Sequence, residues 1–273
     1  MERVDLYNNS YLETAEYYSN SSNARTSAAV PAATIRTDGH KSRSSSAPIT
    51  SSSNALLNSL PSSLFDKLRP SLRSVFLEED QYLYFQDGRL DHVYFPETAV
   101  ISDLRTLEDG RMVEVAITGR EGAVGLSALF CSSRVANCTQ VSQAGSAVRI
   151  ESSILEKIMR NNPEMSTAFS PQMDQYIRQL SQRAICNMYH SVKERLCTWL
   201  LLVQDRCGKK TLKLTHEQIA RILGVYRPSV TCIALEMRKS NLIDYSRGGL
   251  SIRDRDKMES SACDCYLEMA GAV

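Results

Sequence analysis

The stretch Leu214 to Lys239, LTHEQIARILGVYRPSVTCIALEMRK, constrains the fold more than any other part of the 273-residue chain. Thr215 followed three residues later by Gln218 is a capping-box start, in which the hydroxyl and the amide cover backbone N–H groups that a first helical turn leaves unpaired. Ile219, Ala220, Ile222 and Leu223 give a short apolar face, and Gly224 supplies the permissive backbone that ends the helix and turns the chain. A second helix follows at once. Pro228 suits its first turn, where a missing N–H costs nothing, and Val230, Ile233, Ala234 and Met237 recur at helical spacing and seat it on the first. That register leaves Arg227, Ser229, Thr231, Cys232 and Glu236 facing outward.

Two short helices joined through a glycine corner, with small and polar residues early on the second, form the helix-turn-helix pattern whose second helix enters the major groove. The competing reading is an ordinary helical hairpin inside a core. The next segment argues for the first: Leu242 to Tyr245 and Leu250 to Ile252 flank Ser246-Arg247-Gly248-Gly249, a hairpin with a glycine-rich tip, or wing. An arginine on such a tip suits contact with phosphates. The chain as a whole is nearly neutral, with a formal net charge of +1. Between Ser191 and Lys257, however, 14 Lys and Arg stand against 7 Asp and Glu, the local excess expected of a phosphate-binding surface. No paired carboxylates, nucleophile–base arrangement or phosphate loop stands at a recognisable spacing, so an enzyme is not expected.

VKERLCTWLL, the helix-turn-helix and the RGGLSI wing together resemble the C-terminal domain of the Crp/Fnr transcriptional regulators. HVYFPETAVIS, TLEDGRMVEVAITGREGAVGL and a long amphipathic helix extend the resemblance over residues 60 to 258. It implies an α+β fold: an N-terminal antiparallel β-roll of the cyclic-nucleotide-binding type, a long dimerisation helix and a C-terminal winged helix-turn-helix. It also implies a bacterial, dimeric, sequence-specific DNA-binding regulator whose roll senses a signal and whose partners are promoter DNA, a second copy of the chain and RNA polymerase.

The length and a hydrophobic fraction of 42% allow two modest domains. Residues 1–55 contain 12 serines and no sustained apolar period, and are expected to be disordered. MERVDLYNN lacks the apolar centre of a secretory signal, and no apolar run is long enough to span a bilayer, so a cytoplasmic protein without a membrane partner is expected. The expected domains are the roll at 56–163, the dimerisation helix at 164–190, the winged helix-turn-helix at 191–258 and a tail at 259–273. Leu56 to Arg69 permits helical turns interrupted by Pro61. In the roll, Tyr82–Phe85 and His92–Phe95 flank Asp87-Gly88, and Ser102–Leu107 and Met112–Ile117 flank Asp109-Gly110, giving two hairpin signals. Met165 to Val203 reads as helix, with breaks expected near Pro171 and His190.

Members of the family that bind cyclic nucleotides carry a Gly-Glu pair before a short helix and an arginine followed by a small residue downstream. Here Leu126 follows Gly125 in place of the glutamate, and Val135-Ala136-Asn137 offers no arginine; Arg134 stands two residues from the expected place. Arg120, Glu121, Gly125 and Arg134 remain as a candidate pocket, with Arg120-Glu121-Gly122 alternatively a structural corner, and cyclic nucleotide is not expected as a ligand. Cys131, Cys138, Cys186, Cys197, Cys207 and Cys232 are too scattered for an iron–sulfur cluster. Cys263 and Cys265 form a close pair of the kind that binds metal or responds to oxidants, but the sequence shows no neighbouring Cys or His to complete a site. His40, His92, His190 and His216 show no ligand spacing, and no metal is expected.

Met173, Ile177, Leu180, Ala184 and Met188 make an apolar seam narrow enough for helix-on-helix association, although such a seam can also pack on its own roll. In the family this helix is the dimer helix. Arg227, at the start of the recognition helix, is expected to contact a base directly, since a guanidinium donates two bonds to guanine. His216, Tyr226, Ser229 and Thr231 are expected to hold the helix on phosphates, with Cys232 on the same surface and Arg247 on the wing. Pro228 and Cys232 stand where well-known family members place a base-reading glutamate and a second arginine, so target preference does not carry over. The alternative function is a small-molecule-binding module that acts on protein partners without DNA.

Overall fold

A computed structural model of the chain describes residues 49–131, 134–246 and 249–270, apart from the side chains of Cys131 and Ser246. The chain enters the fold through Asn54, whose buried side chain donates to the carbonyls of Pro96 and Gly122 at 2.7 and 2.9 Å and accepts from the Leu57 N–H at the start of helix α1, Ala55–Asn58. Pro61 caps helix α2, Ser62–Leu68, separating the two apolar turns as its fixed φ requires. Strands β1 (Arg73–Leu77), β7 (Gly145–Glu151) and β3 (His92–Pro96) form one antiparallel sheet. Strands β2 (Tyr82–Tyr84), β6 (Cys138–Gln143), β4 (Val100–Thr106) and β5 (Met112–Thr118) form the other. Between these strands lies the short helix α3, Leu126–Cys131. Leu68, Leu72, Leu77, Phe95, Ile101, Leu126 and Val148 fill the roll, and the start of the long helix closes it through Met165 and Phe169.

Helix α4 (Ser152–Asn161) leads into α5 (Pro163–Tyr189), 27 residues long. Helix α6 (Val192–Cys207) starts at a Ser191–Glu194 capping box and is followed by strand β8 (Thr211–Lys213). Then come α7 (His216–Leu223), α8 (Arg227–Lys239), β9 (Ile243–Ser246) and β10 (Gly249–Ile252). The described residues end in α9 (Arg255–Ser261) and α10 (Cys265–Ala270). The wing is a three-stranded sheet in the order β8-β10-β9. Among the described residues no helix is long and apolar enough to cross a membrane.

The roll and the winged domain are joined by buried polar contacts. Glu114 on β5 accepts from Arg183 of α5 and the Trp199 indole of α6, both at 2.8 Å, and from the Ser102 hydroxyl of β4 at 2.7 Å. Arg206 of α6 pairs with Glu121 at 2.8 Å, with both side chains buried. Val100 and Ile117 of the roll belong to the same apolar core as Leu200, Ile219 and Leu223.

Three expectations are corrected. The Asp87-Gly88 turn does not join a hairpin: β2 pairs with β6 and β3 with β7, so the chain changes sheet at this turn. The Asp109-Gly110 hairpin, in contrast, forms as β4–β5. Pro171 does not break α5, because the Thr167 carbonyl that a proline leaves unpaired four residues back accepts from the Ser170 hydroxyl at 2.8 Å. The expected tail at 259–273 is, over its described residues 259–270, part of the fold: α9 runs across the expected boundary, and Cys263, Cys265, Tyr266 and Met269 are buried in the winged-domain core. Most of the Ser-rich stretch expected to be disordered lies outside the described residues, while Ser52 and Asn54 at its end bond to the roll.

Removing one partner of a buried ion pair leaves an uncompensated charge, so Glu114→Ala is expected to lower stability by about 3–5 kcal/mol. Chemical denaturation followed by far-UV circular dichroism measures this, and a loss under about 1 kcal/mol would contradict the role given to Glu114.

Candidate nucleic-acid interface

The capping box at the start of α7 is reciprocal: the Gln218 N–H donates to the Thr215 hydroxyl at 3.1 Å, and the Thr215 N–H donates to the Gln218 side-chain oxygen at 2.8 Å. Gly224 ends α7 at φ +65°, and Val113 Cγ2 of the roll lies 3.2 Å from where a Cβ there would sit. Both the left-handed backbone and the close approach call for glycine. α8 buries Val230, Ala234 and Met237 in the winged-domain core and leaves its other side open. Tyr226 is 81% exposed, and Arg227, Ser229, Cys232, Leu235 and Glu236 are exposed with it.

Arg227 is therefore free to reach outward. Its only described ion pair is with Glu217 at 3.9 Å, between two exposed side chains, and pairs of that kind contribute little. His216 and Thr231 occupy a different position. His216 is half-buried, its Nδ1 lies 3.1 Å from the Thr231 hydroxyl, and its ring stands edge-on to Tyr245 at 5.3 Å. These contacts tie the start of α7 to α8 and to the wing, so His216 and Thr231 help to set the angle at which α8 is presented. Arg247 lies outside the described residues. Arg238 was missed in the sequence reading although it stands 11 residues, about three helical turns, after Arg227 and so shares its face. Lys193 of α6 reaches the same helix through Glu236 at 2.7 Å.

The four roll residues proposed as a pocket do not converge. Glu121 is turned away from the roll interior, where Arg206 and the Gly119 N–H hold it. Gly125 has φ +99°, and a Cβ there would fall 2.8 Å from Leu90 and 2.9 Å from the Tyr84 hydroxyl, which is a packing reason for glycine. Arg134 is exposed and donates to the Asp87 carbonyl at 3.1 Å. Arg120 is exposed and its carbonyl accepts from Ala55. Leu126 is fully buried in the core. Each of these four residues is engaged in or exposed at the local structure of the roll.

The seam on α5 divides. Met173 packs against the roll core and Leu180 is half-buried, whereas Ile177, Ala184 and Met188 face outward, Ile177 61% and Met188 75% exposed. Ile185 and Tyr189 widen this open apolar stripe. The cysteine reading is also corrected: Cys186 and His190, at the end of α5, lie beside Cys263 and Cys265. Their partners stand more than 70 residues away in the chain, beyond the reach of spacing rules.

Residues 194–261 match the family described as the Crp-like helix-turn-helix domain. The chain is similar to the global nitrogen regulator of Synechocystis, 21% identical over 201 residues that cover 70% of this chain and 88% of that protein. In structure it resembles a protein of Eubacterium rectale described as a transcriptional regulator of the Crp/Fnr family, with a TM-score of 0.60 and 18% identity, covering 76% of this chain and 96% of that one. It also resembles FixK2 of Bradyrhizobium japonicum, with a TM-score of 0.59 and 16% identity, covering 70% and 96%. The likenesses to solved structures show the fold, and the domain match places the helix-turn-helix within it. Residues 194–261 thus match a Crp-like helix-turn-helix domain, and the chain as a whole shares the fold of these Crp/Fnr-type structures.

Because Arg227 is exposed and only loosely paired, Arg227→Ala is expected to change stability by less than about 0.5 kcal/mol. A shift in the denaturation midpoint equivalent to more than about 1 kcal/mol would show that Arg227 holds the fold instead of facing a ligand.

Proposed function

We propose that the chain acts in the cytoplasm as a homodimer that places two copies of α8 in successive major grooves of DNA and reads an inverted repeat. The observation that carries this reading is the division of α8 into a buried side, Val230, Ala234 and Met237, and an open side bearing Arg227, Ser229, Cys232 and Arg238. Arg227 is assigned to a base edge, and Tyr226 and Ser229 to the adjoining backbone, with Arg247 of the wing on phosphates. Cys232 sits on the same open side, where it offers at most a weak donor. His216 and Thr231 act through the angle of α8 and not through direct contact. The exposed stripe of Ile177, Ala184 and Met188, with Ile185, supports pairing of α5 with the same helix of a second copy.

We propose RNA polymerase as the protein partner of the DNA-bound dimer. We also propose that cyclic AMP is not the signal, since Leu126 and Glu121 are committed to packing and to an ion pair. Action through protein partners without DNA is not favoured, because it leaves the open basic side of α8 without a role.

In-vitro selection of bound DNA should recover an inverted repeat. On that sequence Arg227→Ala is expected to cost about 1–3 kcal/mol of specific binding and to relax the preference at one position in each half-site. Unchanged discrimination in a competition assay would remove Arg227 from base readout, and selection that returned no enriched sequence would overturn the DNA-binding reading. Paired charges on the open stripe, Ile177→Glu with Met188→Glu, should give a monomer by sedimentation. A dimer that persisted would place the interface elsewhere.

A further inference from the structure

Cys186 and His190 stand four residues apart at the end of α5 and so on one side of the helix. Cys263 stands on the turn between α9 and α10, and Cys265 is the first residue of α10. The three sulfurs and one imidazole nitrogen all lie within 4.8 Å of one another. Cys186 Sγ is 3.6 Å from Cys263 Sγ, and His190 Nδ1 is 3.3 Å from Cys265 Sγ. A tetrahedral zinc ion, with bonds of about 2.3 Å to sulfur and about 2.0 Å to nitrogen, sets its ligands about 3.5–3.8 Å apart. We propose that Cys186, His190, Cys263 and Cys265 form a closed tetrahedral site for one divalent cation of zinc type, which fastens the end of the long helix to the C-terminal end of the winged domain.

The surroundings are those of a built site. The second ring nitrogen of His190, Nε2, lies 3.4 Å from the Asp264 carboxylate, so a carboxylate orients the imidazole from behind and leaves Nδ1 for the metal. Gln182 Nε2 donates to Cys265 Sγ at 3.0 Å, and the Thr198 hydroxyl lies 3.0 Å from Cys263 Sγ while accepting from the Cys263 N–H at 3.2 Å. The three cysteines are buried and His190 is half-buried. Three thiolates around a divalent ion leave one net negative charge, and the buried guanidinium of Arg195 lies within electrostatic reach of Cys186 and Cys263.

A single ion fits better than a cluster. An iron–sulfur core holds its thiolates apart around several irons, whereas these four atoms all lie within 4.8 Å of one another, close enough to become the corners of one coordination tetrahedron. Four protein ligands leave no open position for substrate or water, so the site is structural in kind. His190 ends α5 and Ser191 caps α6, so an ion held there fixes the joint between the two helices. Metal loading thereby sets how rigidly the recognition helix is carried.

The test uses the full chain, purified under reducing, oxygen-free conditions. Elemental analysis should find about one zinc per chain. After chelation, titration with Co2+ alone should give the visible absorption of tetrahedral cobalt with sulfur-to-metal charge transfer, and Zn2+ should displace it. Cys265→Ser should abolish those bands, and Asp264→Asn, which keeps all four ligands, should weaken Zn2+ binding by about tenfold or more. Cys232→Ser, outside the cluster, should leave the metal content unchanged. The proposal fails if the folded wild-type chain holds no stoichiometric metal and shows no tetrahedral cobalt spectrum. It fails equally if peptide mapping finds Cys186 and Cys263 joined as a disulfide under these reducing conditions.

Discussion

A carboxylate buried where four elements meet sets the shape of this molecule. Glu114 lies on a roll strand, yet its hydrogen-bond donors come from the neighbouring strand, the long helix and the first helix of the winged domain. Burial pushes its carboxyl above the usual range, while Arg183 together with the Ser102 and Trp199 donors pulls the other way. An ion pair so enclosed adds little stability compared with an apolar contact, but it tolerates no displacement, because any movement strands a charge. Arg206 and Glu121 repeat the device a short distance away. The position of the winged domain against the roll is thus specified by polar contacts as well as by apolar packing.

With α7 seated on strand β5, its partner α8 is left facing outward. Asp80 of the roll strengthens that seat through Gln218 at 3.2 Å and Arg221 at 3.6 Å. The contacts that hold α7 are separate from those that would meet DNA, and the open side of α8 needs no rearrangement of the core to be reached. Its cations have only surface partners, Glu217 for Arg227 and Asp244 for Arg238 at 3.8 Å, and solvent-exposed pairs of this kind are released at little cost when phosphates compete.

In the roll, the residues of the sequence-predicted pocket are engaged in packing and in an ion pair. Gly125 is kept for close packing, Leu126 fills the core, and Glu121 serves α6. Asp103 and Tyr176, bonded at 2.9 Å, link the roll to the long helix through a half-buried polar contact, and desolvation pushes the Asp103 carboxyl up. The long helix is therefore held at several heights along its length, by Phe169, Tyr176, Gln179 and Arg183, and only its far stripe remains without a partner among the described residues.

The sequence by itself determined what depends on near neighbours. The capping box at Thr215, the left-handed stop at Gly224, the proline-started helix from Arg227 and the β4–β5 hairpin are all governed by interactions within a few residues, and each was legible before any coordinates. Only the tertiary structure decided what depends on distant partners. The Asp87-Gly88 turn sends its strands into different sheets because β6 and β7, far along the chain, supply their hydrogen bonds. Pro171 is tolerated because one serine hydroxyl takes the orphaned carbonyl. Glu114, an acid in an apolar strand pattern, finds donors 12 to 85 residues away. Cys186 meets Cys263 across 77 residues of chain, and no spacing rule reaches that far, since it is packing of α5 against the end of the chain that creates the proximity.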